Sequence, residues 1–242
     1  MTRTVAAVAI LFVAVLLAGC ESTQSKSAKL EANGGDLAKV EKVRIGAENQ
    51  NIKLLDRQLL TDQYGSAVVL KVRNESGQGQ ADIPIVLNVK GPNGKSVYKN
   101  NIEGLEAGLL GIGLIGPSTD SYWVNDQVLA TGKPASFEVK IGTPEGKYPA
   151  QVPEMEVSEP TLELDPTSGK FVGGTVTNRS SVEQIDLLLS AVALKGNKIV
   201  AAGRGLIPKL KADGKPEPYR IYFIGDPTGA NIEVFAPPTT FE

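Results

Sequence analysis

A set of residues occurs twice in this chain at one constant spacing. Gly65, Val68, Val72, Asn74 and Ser76 return as Gly169, Val172, Val176, Asn178 and Ser180. The same spacing carries Ile83, Ile85 and Leu87 onto Leu187, Leu189 and Ala191, and Asn93-Gly94-Lys95 is answered, slipped by one residue, by Gly196-Asn197-Lys198. A two-fold repeat of this length belongs to a duplicated unit; a solenoid needs at least three shorter ones. Whatever the first copy folds into, the second must fold into as well.

Each copy has the period-two patterning of antiparallel β-structure. In the first, Val68, Leu70 and Val72 alternate with Ala67, Val69 and Lys71 before a turn at Asn74-Glu75-Ser76-Gly77. Ile83, Ile85, Leu87 and Val89 form a second face, closed by Gly91-Pro92-Asn93-Gly94. Strands are expected over 67–73, 83–89, 95–99 and 135–141, and in the second copy over 170–177, 185–194, 198–204 and 218–224. Turn signals about every ten residues between alternating strands predict β-sandwiches. Glycine (26), proline (15) and only 5% aromatic residues fit many short strands and turns better than helices. The expected fold is all-β: two tandem Ig-like antiparallel β-sandwich domains, 41–148 and 149–242, divided where Pro144, Gly146, Pro149 and Pro153 interrupt any ladder.

The N-terminus determines location. Arg3 precedes an apolar core from Val5 to Leu17 that is shorter than the roughly 20 residues a membrane span needs. It ends on Leu17-Ala18-Gly19-Cys20. A basic start, apolar core and Leu-Ala-Gly-Cys in this order resemble the signal and lipobox of bacterial lipoproteins. That resemblance implies a signal peptide over 1–19, cleavage between Gly19 and Cys20, and acylation of Cys20 as the new N-terminus. The membrane is then a partner through the acyl chains, and the protein is extracytoplasmic, on the cell membrane or the outer membrane. Two or more chains are needed for stable anchoring, since one binds only reversibly. Residues 20–40, polar and without an apolar stripe, read as the lipidated Cys and a flexible tether reaching roughly 25 Å as a random coil; a short helix over 36–43 is conceivable. The succession of strand, Asn-x-Ser turn, strand, Asn-Gly-Lys turn and closing strand is also similar to the Ig-like FxLYD-type domains of bacterial surface lipoproteins. Leu87-Asn88-Val89-Lys90 and Ala191-Val192-Ala193-Leu194 stand where that family's aromatic residues would be. This second resemblance implies an extracytoplasmic, non-enzymatic module.

Reactive chemistry is sparse. The 242 residues include no histidine and one cysteine, Cys20. This excludes an imidazole base, a Ser-His-Asp triad, and zinc sites built on sulfur or imidazole. A net charge of -2 without a basic cluster argues against nucleic acid as a partner. Ser96-Val97-Tyr98-Lys99 matches S-x-x-K but lacks the companion motifs and lies on a strand, where its ends point to opposite faces. Glu154, Glu156 and Glu159 read as a solvated strand edge. Asp165-Pro166-Thr167-Ser168-Gly169 and Asp226-Pro227-Thr228-Gly229 read as Asx-type turns ahead of calcium loops. The sequons at Asn74 and Asn178 read as turns. No catalytic residue, metal or cofactor is expected.

One stretch sets the copies apart. The first carries Gly108-Leu109-Leu110-Gly111-Ile112-Gly113-Leu114-Ile115-Gly116-Pro117 and then Ser121–Asp126, where the second has the shorter 204–215. Glycine at every second or third position makes a poor strand. Leu109, Leu110, Ile112, Leu114, Ile115 and Trp123 either fold back under the sandwich, with Trp123 as a core aromatic, or form an exposed loop that docks an envelope protein or the bilayer. The functions in view are an interaction or accessory module at the cell envelope, a structural spacer without a specific ligand, or, weakest, a carboxylate or Ser/Lys hydrolase.

Overall fold

A computed structural model describes residues 45–102 and 105–241. The signal segment, Gly19, Cys20, the tether and the helix over 36–43 lie outside the described residues.

The fold is an all-β sandwich architecture in which the repeat is built as two pairs of antiparallel sheets. In the first copy, β1 (Ile52–Thr61), β2 (Ser66–Asn74) and β6 (Asp120–Asn125) form a three-stranded sheet in the order β1-β2-β6. Facing it, β3 (Gln80–Lys90) carries β4 (Ser96–Lys99) and β5 (Gly111–Ile115) along one edge and β7 (Ser136–Ile141) along the other. In the second copy, β8 (Met155–Val157) and β9 (Thr161–Asp165) pair with β10 (Gly169–Asn178), whose other neighbour is β13 (Pro216–Tyr222). The facing sheet runs β14 (Ile224–Gly225), β12 (Lys198–Leu210), β11 (Gln184–Lys195), β15 (Asn231–Phe235).

The duplication is reproduced atom by atom. Asn74 Oδ1 accepts from the Ser76 amide at 3.1 Å and its Nδ2 donates to the Gln78 carbonyl at 2.7 Å. Asn178 makes the same bonds to Ser180 and Val182 at 2.9 and 2.8 Å. Both asparagines are buried, which leaves neither sequon open to a glycan. Asp82 and Asp186 both take φ 50° within their strands, a conformation a short polar side chain tolerates, and the register runs on unshifted past each. A β-bulge recurs at Val89/Lys90 and Ala193/Leu194.

Each sheet pair encloses its own core. Val68, Leu70 and Val72 of β2 meet Ile83, Ile85, Leu87 and Val89 of β3. Val172 and Val176 of β10 meet Leu187, Leu189, Ala191 and Ala193 of β11. A third cluster lies between the copies: Ala67, Val69 and Val124 on the outer face of the first three-stranded sheet pack on Val192, Ile199, Ala202 and Ile224 of the second copy. β2 and β11 are therefore covered on both faces, which is why their sequences run apolar as well as alternating.

The register corrects three sequence expectations. Most of Ser121–Asp126, read as part of an insert, lies in strand β6, Asp126 following its end, and the counterpart of β6 is β13: Trp123 sits opposite Leu70 as Tyr219 sits opposite Gly174. The counterpart of β7 is β15, not the strand expected over 218–224. Nor does the glycine-rich stretch stay out of the sheet. Gly111–Ile115 is β5, because the free edge of β3 supplies its partners and Gly111 lets the two backbones close at Ile83.

Candidate functional site

The true insert is short, and register defines it. Lys99 pairs with Asn88 as Ala202 pairs with Val192, and Gly111 pairs with Pro84 as Leu206 pairs with Leu188. Between these points the second copy runs straight through Gly203-Arg204-Gly205. The first copy leaves the sheet at Asn100 and returns at Gly111. Residues 100–110 thus replace a Gly-Arg-Gly step with an excursion that ends in a single helical turn, α1 (Ala107–Leu110).

Asn100 fills the gap left in the ladder. Its Oδ1 accepts from the Leu87 amide at 2.6 Å, and its Nδ2 donates to the carbonyls of Ile85 at 2.8 Å and Leu109 at 2.7 Å. The excursion crosses the outer face of the β11–β12 sheet and meets Arg204, the residue that occupies the equivalent position in the second copy. Arg204 is 2% exposed. Its Nε donates to Asp126 Oδ1 at 2.8 Å and its backbone amide to Asp126 Oδ2 at 3.0 Å. Nη1 and Nη2 reach the two oxygens of Glu106 at 3.3 and 3.4 Å. Burial opposes the guanidinium charge, but the neighbouring carboxylates of Asp126 and Glu106 outweigh it and hold the group protonated above its usual range. Two carboxylates of the first copy thus meet one cation of the second.

The six residues expected at an interaction loop are distributed over this seam and the first core. Ile112, Ile115 and Trp123 belong to the first core. Leu109 and Leu110 pack with Leu105 in a separate cluster under the excursion, and Leu114 is also buried. None of the six is exposed, so they form no solvent-facing apolar patch. Trp123 Nε1 donates to the Gly108 carbonyl at 2.8 Å, tying the excursion to the first sheet. Gly108 lies close against the second copy: a Cβ there would meet the end of the Leu188 side chain and crowd the guanidinium of Arg204, so any larger residue requires Leu188 to move.

The other candidates hold no convergent chemistry. Ser96 Oγ donates to Asn88 Oδ1 at 2.7 Å on an exposed strand end. Glu156 pairs with Arg179 Nε at 2.5 Å on the surface. Asp165 accepts the amides of Thr167 and Ser168, and Asp226 that of Thr228, so both aspartates form Asx turns. Those amide bonds hold the Asp165 carboxyl below the ordinary aspartate range; at Asp226 the Lys170 ammonium is the largest cause of the same displacement. Among the described residues no group of three or more His, Cys, Asp and Glu could hold a metal ion. A hollow of about 560 Å³ beside the first Asn-x-Ser turn is lined by Asn51, Ser76, Gln78, Gln80, Pro144 and two glycines, none of them charged. No described helix is long and apolar enough to cross a membrane.

Arg204, Asp126, Glu106 and Asn100 were not singled out from sequence. One signal was available: Arg204 is a lone charge within Ile199–Ile207, an otherwise apolar and glycine-rich run. Charges in such runs are rare unless paired. Its partners, 78 and 98 residues away in sequence, carry no local signal.

No family model matches this chain, and no curated protein matches its sequence.

The repeat also leaves one polar atom stranded. Trp123 has the excursion to bond to, whereas its counterpart Tyr219 has a buried hydroxyl with no hydrogen-bond partner among the described residues. A buried unmade hydrogen bond costs about 1–3 kcal/mol. Tyr219→Phe removes that penalty at almost constant volume, so thermal unfolding of the variant is expected at or above the parent temperature. A clear loss of stability contradicts the assignment.

Proposed function

We propose that this chain is a lipid-anchored, extracytoplasmic, non-enzymatic protein of the cell envelope that works as an interaction or accessory module. The anchor half of this reading rests on Leu17-Ala18-Gly19-Cys20 and its preceding apolar core. The non-enzymatic half rests on the seam. The buried charged groups of the described residues, Arg204 and Asp126, are spent on each other in joining the two copies. The hollow lacks any group to donate or accept a proton near neutrality, which general acid–base work requires.

A second reading, a spacer that carries its distal unit at a fixed angle, is favoured by the third core. Eight buried apolar residues at the seam stiffen what would otherwise be two units on a string.

Labelling cells with an alkyne-bearing palmitate tests the anchor. The parent chain is expected to take up label and partition with membranes, and Cys20→Ser to lose both; an unlabelled parent chain rules the anchor out. Photo-crosslinking from the half-exposed Ile102, which borders the excursion, then separates the two readings. A discrete protein adduct supports the module, and a clean blank from a correctly localised chain favours the spacer.

A further inference from the structure

We propose that this chain binds a second molecule of itself head to tail. The basic outer face of the first copy's β3 sheet receives the acidic outer face of the next chain's β10 sheet, as the two copies already meet within one chain. This gives the module reading a partner, and it rests on that reading only for the association's having a use at the envelope.

The seam joins unlike surfaces. The outer face of the β1-β2-β6 sheet packs on the outer face of the β14-β12-β11-β15 sheet. A contact between unlike faces leaves one face of each kind open at the two ends of the molecule. These are the outer face of β3 with β4 and β7 in the first copy, and the outer face of β10 with β8, β9 and β13 in the second.

Register shows what the open faces carry. Ile85, Leu87, Val89, Phe137, Val139 and Ile141 point into the first core, so Lys90, Lys99 and Lys140 lie on the outside, with Lys95 and Lys133 exposed beside them. Residues 83–102 hold three lysines and no acid, and over 127–142 Glu138 is the one acid. At the seam the matching positions of the second copy are apolar: Leu194, Ala202 and Phe235 stand where Lys90, Lys99 and Lys140 do. The opposite end of the molecule has the opposite charge. Glu156, Glu163 and Asp165 sit across from Thr177, Phe171 and Gly169 on the outer side of β10, and residues 154–165 hold five acids and no cation. Glu163 takes the place of Leu60, a seam residue of the first copy.

The seam also determines which parts meet. Within the chain β1 lies against β12 and β14. By the repeat, β8 and β9 stand for β1, β4 stands for the start of β12, and residues 128–131, bonded to Val97, stand for β14. The same stacking therefore carries the acidic edge of one chain onto Lys95, Lys99 and Lys133 of the next. Arg220, in the place of Val124, is carried toward β3 and its neighbour Glu138. Exposed ion pairs are individually weak and screened by salt, so this contact is reversible where the apolar seam is not.

The test uses the full-length chain in density-matched neutral detergent, with mass read by sedimentation equilibrium. At about 0.02 M salt the parent's mass is expected to climb with concentration past the dimer, since unlike faces leave each end open, and at about 0.5 M salt to return toward the monomer. Lys95→Glu with Lys99→Glu, and Glu159→Lys with Glu163→Lys, change exposed side chains only. Each pair is expected to keep the parent's β-sheet spectrum and melting temperature and to associate at least about tenfold more weakly. Mixed in equal amounts, the two variants are complementary and are expected to regain the association that each lacks alone. A parent that stays monomeric at low salt overturns the proposal, as does one whose mass levels off at the dimer. So does a variant that associates like the parent, or a mixture that regains nothing. All of these chains share one N-terminus, so failure here leaves the anchor reading standing, and failure of the palmitate labelling leaves the head-to-tail contact standing.

Discussion

Arg204→Met is expected to destabilise the chain by about 3–5 kcal/mol, the usual cost of leaving a buried charge without its partner. The methionine itself is not the difficulty, since it fills similar volume with flexible apolar atoms. The cost falls on Asp126, which is 5% exposed and would lose the bond from Nε that balances its charge. The control is the double variant Arg204→Met with Asp126→Asn, which removes both charges and keeps an oxygen to accept the backbone amide of residue 204. With no unpaired buried charge left, most of the loss should return. Glu106→Gln should cost under about 1 kcal/mol, because the Glu106 carboxylate is partly solvated and its contacts are long. Urea unfolding with an unchanged slope reads all three. If Arg204→Met lies within about 1 kcal/mol of the parent, Asp126 is balanced by something other than Arg204.

How far the sequence predicts this molecule follows from which contacts are local. The all-β class, the strand cores and the Asn-x-Ser turns depend on alternation and on side chains two to four residues apart, as with Asn74, Ser76 and Gln78. These were legible, and the constant spacing of the repeat made them more so. Edge strands such as β1 and β15 were not, because their half-exposed residues blur the period. β6 is not set apart by its own sequence. Its proximity to the glycine-rich run made both look like one insert, and only the pairing of Trp123 with Leu70 separates them. The buried fate of Leu109 to Ile115 turned on the first copy's own sheets: β5 pairs with β3, Ile112 and Ile115 join the first core, and the helical turn lies against β3, β5 and β6. The seam between the copies is invisible locally: Val69 and Val192 read equally well as the inner residues of an isolated sandwich. The seam's charges were the least legible part, since an ion pair across the two copies leaves no periodic trace.

Val192→Asp is expected to part the two copies without dissolving either sandwich. Val192 is fully buried, yet it faces the third core and not the second copy's own. A carboxylate placed against Val69, Val124 and Ile224 finds no partner among those neighbours, and opening the seam to water is its cheapest relief. Unfolding should change from one transition to two, one for each copy. Leu189→Asp is the contrast: it lies in the second copy's inner core and should abolish that copy's folding outright. The pH dependence has a definite sign. Burial raises the pKa of the introduced carboxyl in the closed state above its unfolded value of about 3.9. The closed state then holds the extra proton, so the penalty is full at neutral pH and shrinks as the solution is acidified toward about pH 4. A single transition at neutral pH means that the Arg204 cluster holds the copies together without the third core. The stiffness on which the spacer reading depends then rests on the contacts of Arg204 with Asp126 and Glu106.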